Sequence, residues 1–537
     1  MGEAGINKTV KVATSEEMRS LEDRANQQGV DNSALLEKAG LEIALDVSRE
    51  VGFLRGIPIL ILVGPGNNGS DGLIAGMHLS SFGAKVTVVL TLERTPFDPI
   101  MAKIVRSNVK LLSLCQQSNQ EALSVLANEV EKSHVIIDAI FGIGINRAIT
   151  GFFAKVLTTV NERKKNSSLV FAIDVPTGLF SDTGEIDKSL LSPDITLALG
   201  VLKVGHVTQP GASKTGRLRL LDIGIPDNIE SSIQTNLITK KMVSKYFIDR
   251  PSDSNKGTFG KAFVIGGSEN YVGAVGFAAG AAYRSGVGLV TIAVPGEISS
   301  MVATAIPEAT VVPIDCLSGS THPNITVDTR SIYKAVSGYS SMLFGCGIGL
   351  SRQSGLMLED LVLSKMKLPS VILDADGLNL MSKVTNWWER LPCGTLLTPH
   401  PGEMSRLTGI KISEIQFDRQ YFCKYYARKW NTTIVLKGAN TVISSPSGET
   451  WISPWFDPVL AVAGTGDVLS GLIVGFMAQG ISVEESAILA VYVHGLAGDH
   501  FSKTVGGSGM FASDLLRLLP MCIESLKKEK ICEIQMV

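Results

Sequence analysis

The sequence contains no Cys-x-x-Cys pair. Its seven cysteines (Cys115, Cys316, Cys346, Cys393, Cys423, Cys522 and Cys532) are odd in number and scattered, so they signal neither a zinc site nor a disulfide framework. Aromatic residues are sparse, at 6%. An excess of either charge is missing too: 49 basic residues nearly balance 51 acidic ones, and the net charge of −2 gives no general affinity for nucleic acid or anionic lipid. No run of about 18 uncharged apolar residues occurs; the longest candidate, Tyr271 to Val294, carries Arg284 in its middle. The opening segment MGEAGINKTVKVATSEEMRS lacks the apolar stretch of a secretory signal, and Ile6 stands where a myristoylation motif requires Ser or Thr. Short-period repeats and low-complexity tracts are absent as well. The expectation is a cytoplasmic chain that binds neither membrane nor nucleic acid.

What is present is apolar material and glycine. Hydrophobic residues make up 45% of the 537 positions, charged residues 19%, and there are 54 glycines. At about 150 residues per domain this length suggests two to four domains. Parallel sheets need Val, Ile and Leu in their strands and Gly in their turns, so the balance predicts an α/β class. Strands are predicted at Pro58 to Val63, Lys85 to Leu90, His134 to Asp138 and Leu169 to Asp174. A helix follows at Leu73 to Ser81, and a helical stretch from Ser15 to Gly40 precedes the first strand. The polar segment from Pro226 to Gly257 separates this half from a second one, with strands at Ala262 to Ile265, Leu289 to Val294, Ser341 to Phe344, Val371 to Leu373 and Thr433 to Leu436. An Ala/Gly-rich helix is predicted at Gly273 to Ser285, and the last third is mostly helical. We place the domains at 1–235 and 240–537.

The sharpest motif of the second half is Ala463-Gly-Thr-Gly-Asp-Val-Leu-Ser-Gly471. Glycines let the backbone approach a ligand, and the turn opens onto an apolar helix whose N-terminus favours phosphate. An Asp there suits proton removal from a hydroxyl that attacks phosphorus; it is equally a good helix cap. Four further loops end strands: Gly345-Cys-Gly-Ile-Gly349, Asp374-Ala-Asp-Gly377, Thr398-Pro-His-Pro-Gly-Glu403 and Lys437-Gly-Ala-Asn-Thr441. Each alone reads as a turn, a cap or a surface lysine. Together they occupy the carboxyl ends of strands, where open α/β sheets bind ligands.

With Lys256-Gly-Thr-Phe-Gly260, Ile265-Gly-Gly-Ser268 and Tyr271-Val-Gly-Ala274, these motifs resemble in order the NAD(P)H-hydrate dehydratase family, of ribokinase-like αβα fold, over about residues 240 to 537. The resemblance implies that ADP or ATP phosphorylates the hydroxyl of a hydrated nicotinamide ring and that loss of phosphate restores the double bond. It implies Asp467 as catalytic base and substrate contact, with Ala274, Gly347, Gly349 and His400 around the hydrate. Lys437, Gly438, Ala439, Asn440, Thr441 and Gly466 would hold the nucleotide, with Mg2+ accompanying it; bacterial relatives point to ADP. Phe456-Asp-Pro458 departs from the Asn- or Gly-rich approach usual before the phosphate loop.

In the first half, Gly64-Pro-Gly-Asn-Asn-Gly69 satisfies the Gly-x-Gly-x-x-Gly dinucleotide fingerprint, and Glu93 could serve as its ribose-binding acid. A dehydrogenase is therefore one reading. Against it, Asn67, Asn68, Ser70 and Asp71 suit direct coordination of a phosphate or cation better than a plain turn. The wider set Glu17-Met18, Leu36-Glu-Lys-Ala-Gly40, Gly64 to Gly72, Asp138 to Gly144, Asp174-Val-Pro-Thr-Gly178 and Asp222-Ile-Gly-Ile-Pro226 is similar to the NAD(P)H-hydrate epimerase family, over about residues 12 to 230. That family interconverts the R and S hydrates on a Rossmann-like three-layer αβα fold, and the two activities are commonly fused in bacteria.

The resemblance implies substrate loops at Asn67, Asn68, Gly69, Ser70 and Asp71 and at Gly142, Ile143, Gly144, Ile145, Asn146, Arg147 and Ala148. Asp174 would be a further contact, and Asp138 would join Asp467 among the catalytic residues. Asn68, Asp138 and Thr177 would bind potassium, K+, as hard oxygen donors. Two departures stand out: Ser70 replaces the second Gly of Asn-Asn-Gly-Gly-Asp, and Thr177 replaces Ser. Should Ser70 need a positive φ, strain of about 1 kcal/mol would weaken the site. The whole implies a bifunctional repair enzyme acting on NADHX and NADPHX, expected to be a homo-oligomer. The alternatives are a ribokinase-like small-molecule kinase with an inactive first domain, and a non-catalytic nucleotide-sensing module.

Overall fold

The computed structural model describes residues 9–95, 98–115, 118–314, 328–364 and 366–535, with side chains to residue 528. Ile6, Cys316 and the side chain of Cys532 lie outside the described residues. The remaining five cysteines are free thiols. Among the described residues no helix is long and apolar enough to cross a membrane. The chain forms two compact units, Met1–Thr235 and Asn236–Val537.

The first unit is a seven-stranded sheet in the order Lys110–Ser113, Lys85–Leu90, Pro58–Val63, Val135–Ala139, Leu169–Ile173, Ile195–Leu199, Arg217–Leu221. All of its pairings are parallel. The central strands are apolar runs, broken by Asp138 alone in Val135–Ala139, because helices cover both faces, each face with its own core. The strand order reverses between Pro58–Val63 and Val135–Ala139, so the loops after these two strands diverge and leave a crevice at their carboxyl ends.

Two helical expectations change. The stretch from Ser15 to Gly40 divides into helices Ser15–Gln27 and Asn32–Val51. Gly29, at φ 89°, turns the chain, and Asp31 caps the second helix through Ser33 N. The helix expected from Leu73 starts instead at Asn67, so Asn67 to Asp71 are its first turn and not a free loop. Ser70 therefore has ordinary helical backbone, is absent from the positive-φ residues, and carries none of the strain envisaged for it.

The second unit centres on a ten-stranded sheet in the order Thr235–Leu237, Thr450–Ile452, Val442–Ser444, Thr433–Leu436, Leu396–Leu397, Ser370–Leu373, Ser341–Phe344, Lys261–Ile265, Leu289–Pro295, Thr310–Ile314. The seven strands from Thr433–Leu436 to Thr310–Ile314 pair in parallel; Val442–Ser444 and Thr450–Ile452 extend the sheet antiparallel. Helices Val272–Ser285 and Thr465–Ala478 pack together through small residues. A Cβ on Gly471 would stand 2.1 Å from Ala278 O, so only Gly permits this approach. That contact explains the Ala/Gly composition of both helices, and it fixes the N-terminus of Thr465–Ala478 over the carboxyl ends of the sheet.

Candidate active sites

In the second unit the loops after Ser341–Phe344, Ser370–Leu373, Leu396–Leu397 and Thr433–Leu436 meet the N-terminus of Thr465–Ala478. Asp374, 1% exposed, is the hub. Its Oδ1 accepts from Lys437 Nζ at 2.6 Å and its Oδ2 from Ser470 Oγ at 2.7 Å. Lys437 Nζ also lies 3.8 Å from Glu403 Oε2, and 3.6 Å from where a Cβ on Gly466 would stand. Ala375, at φ 50°, holds a backbone conformation unfavourable for alanine, a strain of the kind found at functional sites. On its far side Asp376 accepts from Gly349 N at 3.0 Å.

Asp467 is not the helix cap. Gly464, at φ 90°, takes that position, and Asp467 follows in the first turn. Ligand atoms of Cys346, Asp374 and Asp467 all lie within 4.8 Å of one another. Burial, and then the neighbouring Asp374, push the Asp467 carboxyl up to about 7. Burial works against the Asp374 charge, but Lys437 outweighs it and holds the carboxyl below its usual range. Lys437 is likewise disfavoured by burial, yet Asp374 and Glu403 keep it firmly protonated. Burial pushes Glu403 up to about 7. The arrangement is a fixed cation, a fixed anion and a carboxyl poised near neutrality, beside the amides of a helix N-terminus. It can hold a phosphate and accept a proton.

The first unit opens a cavity of about 980 Å³ at its crevice. Asn67, Asn68 and Asp71 line it from the helix start, and every residue from Gly142 to Ala148 lines it from the opposite loop. Asp174 closes the floor at φ 59°, its carboxylate bonded to Leu199 N and to the fully buried Lys203 ammonium. Asp138 and Thr177 lie behind the wall. Asp138 Oδ1 and Oδ2 accept from Thr177 Oγ1 and Thr177 N at 2.7 Å each, and Ile140 N adds a third bond at 3.2 Å. Burial, offset in part by the Thr177 bonds, pushes Asp138 up to about 6. Asn68, 8% exposed, has neither amide atom hydrogen-bonded.

Two family models divide the chain between them. One described as NAD(P)H-hydrate dehydratase matches residues 262–521, and one described as YjeF-related protein N-terminus matches residues 32–205. The bifunctional NAD(P)H-hydrate repair enzyme Nnr of Moorella thermoacetica is 34% identical over 96% of this chain and 97% of that protein. The chain belongs to the bifunctional NAD(P)H-hydrate repair enzyme family. The relative of the same name from Thermofilum pendens is 32% identical over 97% of both chains. Among solved structures, the ADP/ATP-dependent NAD(P)H-hydrate dehydratase of Bacillus subtilis, co-crystallised with ATP and Mg2+, is 30% identical over 54% of this chain and 98% of that one, with a TM-score of 0.46.

Within this repair enzyme the expected site residues fall into distinct groups. Asp467, Gly466 and Lys437 converge. Gly347 packs directly on Ala274, a Cβ there standing 2.9 Å from the Ala274 side chain. His400 is half-exposed and caps its own helix, with Nδ1 accepting from Gly402 N at 3.0 Å and Nε2 lying 3.3 Å from Glu403 Oε1, so both ring nitrogens are engaged within its own turn. Asn440 and Thr441 are turned inward: Asn440 Nδ2 donates to Ser453 O at 3.0 Å and Thr441 Oγ1 to Gly438 O at 2.9 Å. The exposed part of that loop is Gly438-Ala439. Asp457 of the departing Phe456-Asp-Pro458 segment is engaged in capping a short turn through Val459 N.

In the first unit Gly69 and Ser70 do not line the cavity; Ser70 Oγ accepts from Arg94 Nη2 at 2.7 Å. Glu93 is exposed.

Sequence reasoning missed Arg94, which clamps Gly64 O and Ser70 from below. It also missed Lys203, Glu22 and His494, whose Nε2 meets Thr465 O at 3.0 Å. None of these stands in a local motif; only the tertiary fold collects them.

Proposed function

We infer that this chain repairs hydrated nicotinamide nucleotides: the first unit interconverts R and S NAD(P)HX, and the second dehydrates the S form at the expense of ADP or ATP. The observation that carries the reading is the placement of Asp467, a carboxyl brought to about 7, at a helix N-terminus between the charged Lys437–Asp374 pair and the Gly466 amide. Asp467 takes the proton of the ring hydroxyl as its oxygen attacks the terminal phosphorus. Lys437 and the helix amides stabilise the charge that gathers on the phosphoryl oxygens. Phosphate then leaves with the electrons of the carbon–oxygen bond, the ring nitrogen supplies the push, and loss of a neighbouring proton restores the double bond. Hydroxide would be a poor leaving group; phosphate is a good one.

The two implied metals fare differently. Asn68 has a buried amide lacking partners, and with the bonded pair Asp138 and Thr177 it supplies the hard oxygen donors that a potassium ion would take. The Cys346–Asp374–Asp467 group does not suit magnesium, a hard cation that takes oxygen ligands, because one of its three donors is a thiol. Mg2+ is therefore assigned to the nucleotide phosphates.

The test is incubation of the full chain with mixed R and S hydrate, Mg2+, K+ and either nucleotide, following the near-ultraviolet absorbance of the reduced ring and free phosphate. Complete conversion with stoichiometric phosphate is expected. A stable phosphorylated product from an unrelated alcohol, with the hydrate untouched, would instead establish a small-molecule kinase. Conversion that stops at half would leave the first unit inactive.

A further inference from the structure

Water adds to the dihydropyridine double bond at the carbon next to the ring nitrogen, because the nitrogen lone pair stabilises a cation there. The hydrate is thus a hemiaminal, and inverting its hydroxyl-bearing carbon requires that a bond to that carbon break and re-form on the other face. Either half of the event moves a proton. The cavity wall must therefore carry one group that donates a proton and another that accepts one.

Asp138 does not line the cavity; both of its oxygens are occupied behind the wall. Asp174 lines it but is tied to Leu199 N and to the buried Lys203 ammonium. Two carboxyls remain on the wall. Asp71 projects from the first turns of Asn67–Ser81, and Glu22 from the amphipathic helix Ser15–Gln27, a segment outside the motifs of either substrate loop. They belong to different elements, and Glu22 is among the charges that act on Asp71.

We propose that Glu22 and Asp71 are the proton donor and acceptor of the epimerisation. The proposal rests on the epimerase reading of the first unit. In one direction Glu22 gives its proton to the hydroxyl oxygen as the carbon–oxygen bond breaks and the nitrogen lone pair forms the C=N bond. Water leaves, and water returns to the opposite face, yielding its proton to Asp71. The Asp174 carboxylate, fixed by Lys203, faces the transient cation. The enzyme ends with Glu22 ionised and Asp71 protonated, the form that serves the reverse direction, so atoms and charge balance over the pair. Burial raises both carboxyls above their ordinary range, the neighbouring Asp174 raises each further, and Lys203 opposes this. On its own helix Glu22 also faces Asp23, which raises it, and Arg19, which lowers it.

The experiment uses the full chain and a single purified hydrate diastereomer, with R-to-S exchange read by chromatography and no nucleotide present. Glu22→Gln and Asp71→Asn are each expected to slow exchange by about 10² to 10⁴, with the KM for hydrate held within a few-fold. Dehydration of pure S hydrate should match the parent. Each variant should also lose one limb of the wild-type pH–rate profile, a signature that a structural role would not produce. Glu22→Asp, which keeps a proton carrier one methylene shorter, should recover part of the rate. Wild-type exchange in Glu22→Gln or Asp71→Asn overturns the proposal. So does loss of hydrate binding in Glu22→Asp, which would make Glu22 structural. Absence of exchange in the parent chain would instead sink the epimerase reading itself.

Discussion

Asp467 must be ionised to take a proton, so its elevated affinity predicts an acidic limb. Dehydration by the second unit should rise with pH through about 7, as the carboxyl loses its proton. Asp467→Asn should lower turnover by about 10² to 10⁴ and erase that limb, with nucleotide binding measured by calorimetry largely preserved. Retained turnover would reject the assignment. This residue was legible in the sequence because Gly464-Thr-Gly-Asp467 is contiguous and opens a helix. Its proton affinity was not, since that depends on burial and then on Asp374, brought alongside by a different strand. Glu22 was illegible altogether: its helix reads as an ordinary capped segment, and its importance comes from a cavity assembled by remote loops.

At the scale of elements, the Gly-rich stretch after Pro58–Val63 shows how a motif can mislead in detail. Its glycines suggested an open phosphate loop, whereas the helix begins at Asn67 and the residues after it are already wound. Ser70 is then no liability. Its hydroxyl accepts from Arg94, which also bonds Gly64 O at 2.9 Å and Asp98 at 2.8 Å. Restoring the family glycine with Ser70→Gly should destabilise the first unit by about 1 kcal/mol, through lost helix propensity and the lost hydrogen bond, seen as a lower urea midpoint. A gain in stability would contradict the helical placement. In the second unit Gly471→Ala should cost about 1–3 kcal/mol, because its methyl would press on Ala278 O. The same variant should weaken nucleotide binding by displacing the helix that carries Gly466. The antiparallel strands Val442–Ser444 and Thr450–Ile452 escaped sequence reading because three-residue strands offer no periodicity to detect.

At the scale of the whole chain, composition indicated an α/β class, and ordered motifs indicated the family. Spacing could not show which motif residues face a ligand and which, like Asn440 and Thr441, brace a loop. Replacing K+ with a bulky organic cation should suppress R-to-S exchange while leaving S-hydrate dehydration intact, since Asn68 and Asp138 belong to the first unit alone. Dehydration that falls in parallel would place the ion elsewhere. The Lys437 ammonium, shared between Asp374 and Glu403, has one more consequence. An arriving polyphosphate competes for that cation and adds negative charge beside two carboxyls already near 7, Glu403 and Asp467. Both must then hold their protons more tightly, so association draws hydrogen ions from the buffer and its strength declines as the medium turns alkaline. Calorimetric heats taken in buffers of differing ionisation enthalpy would count those ions directly.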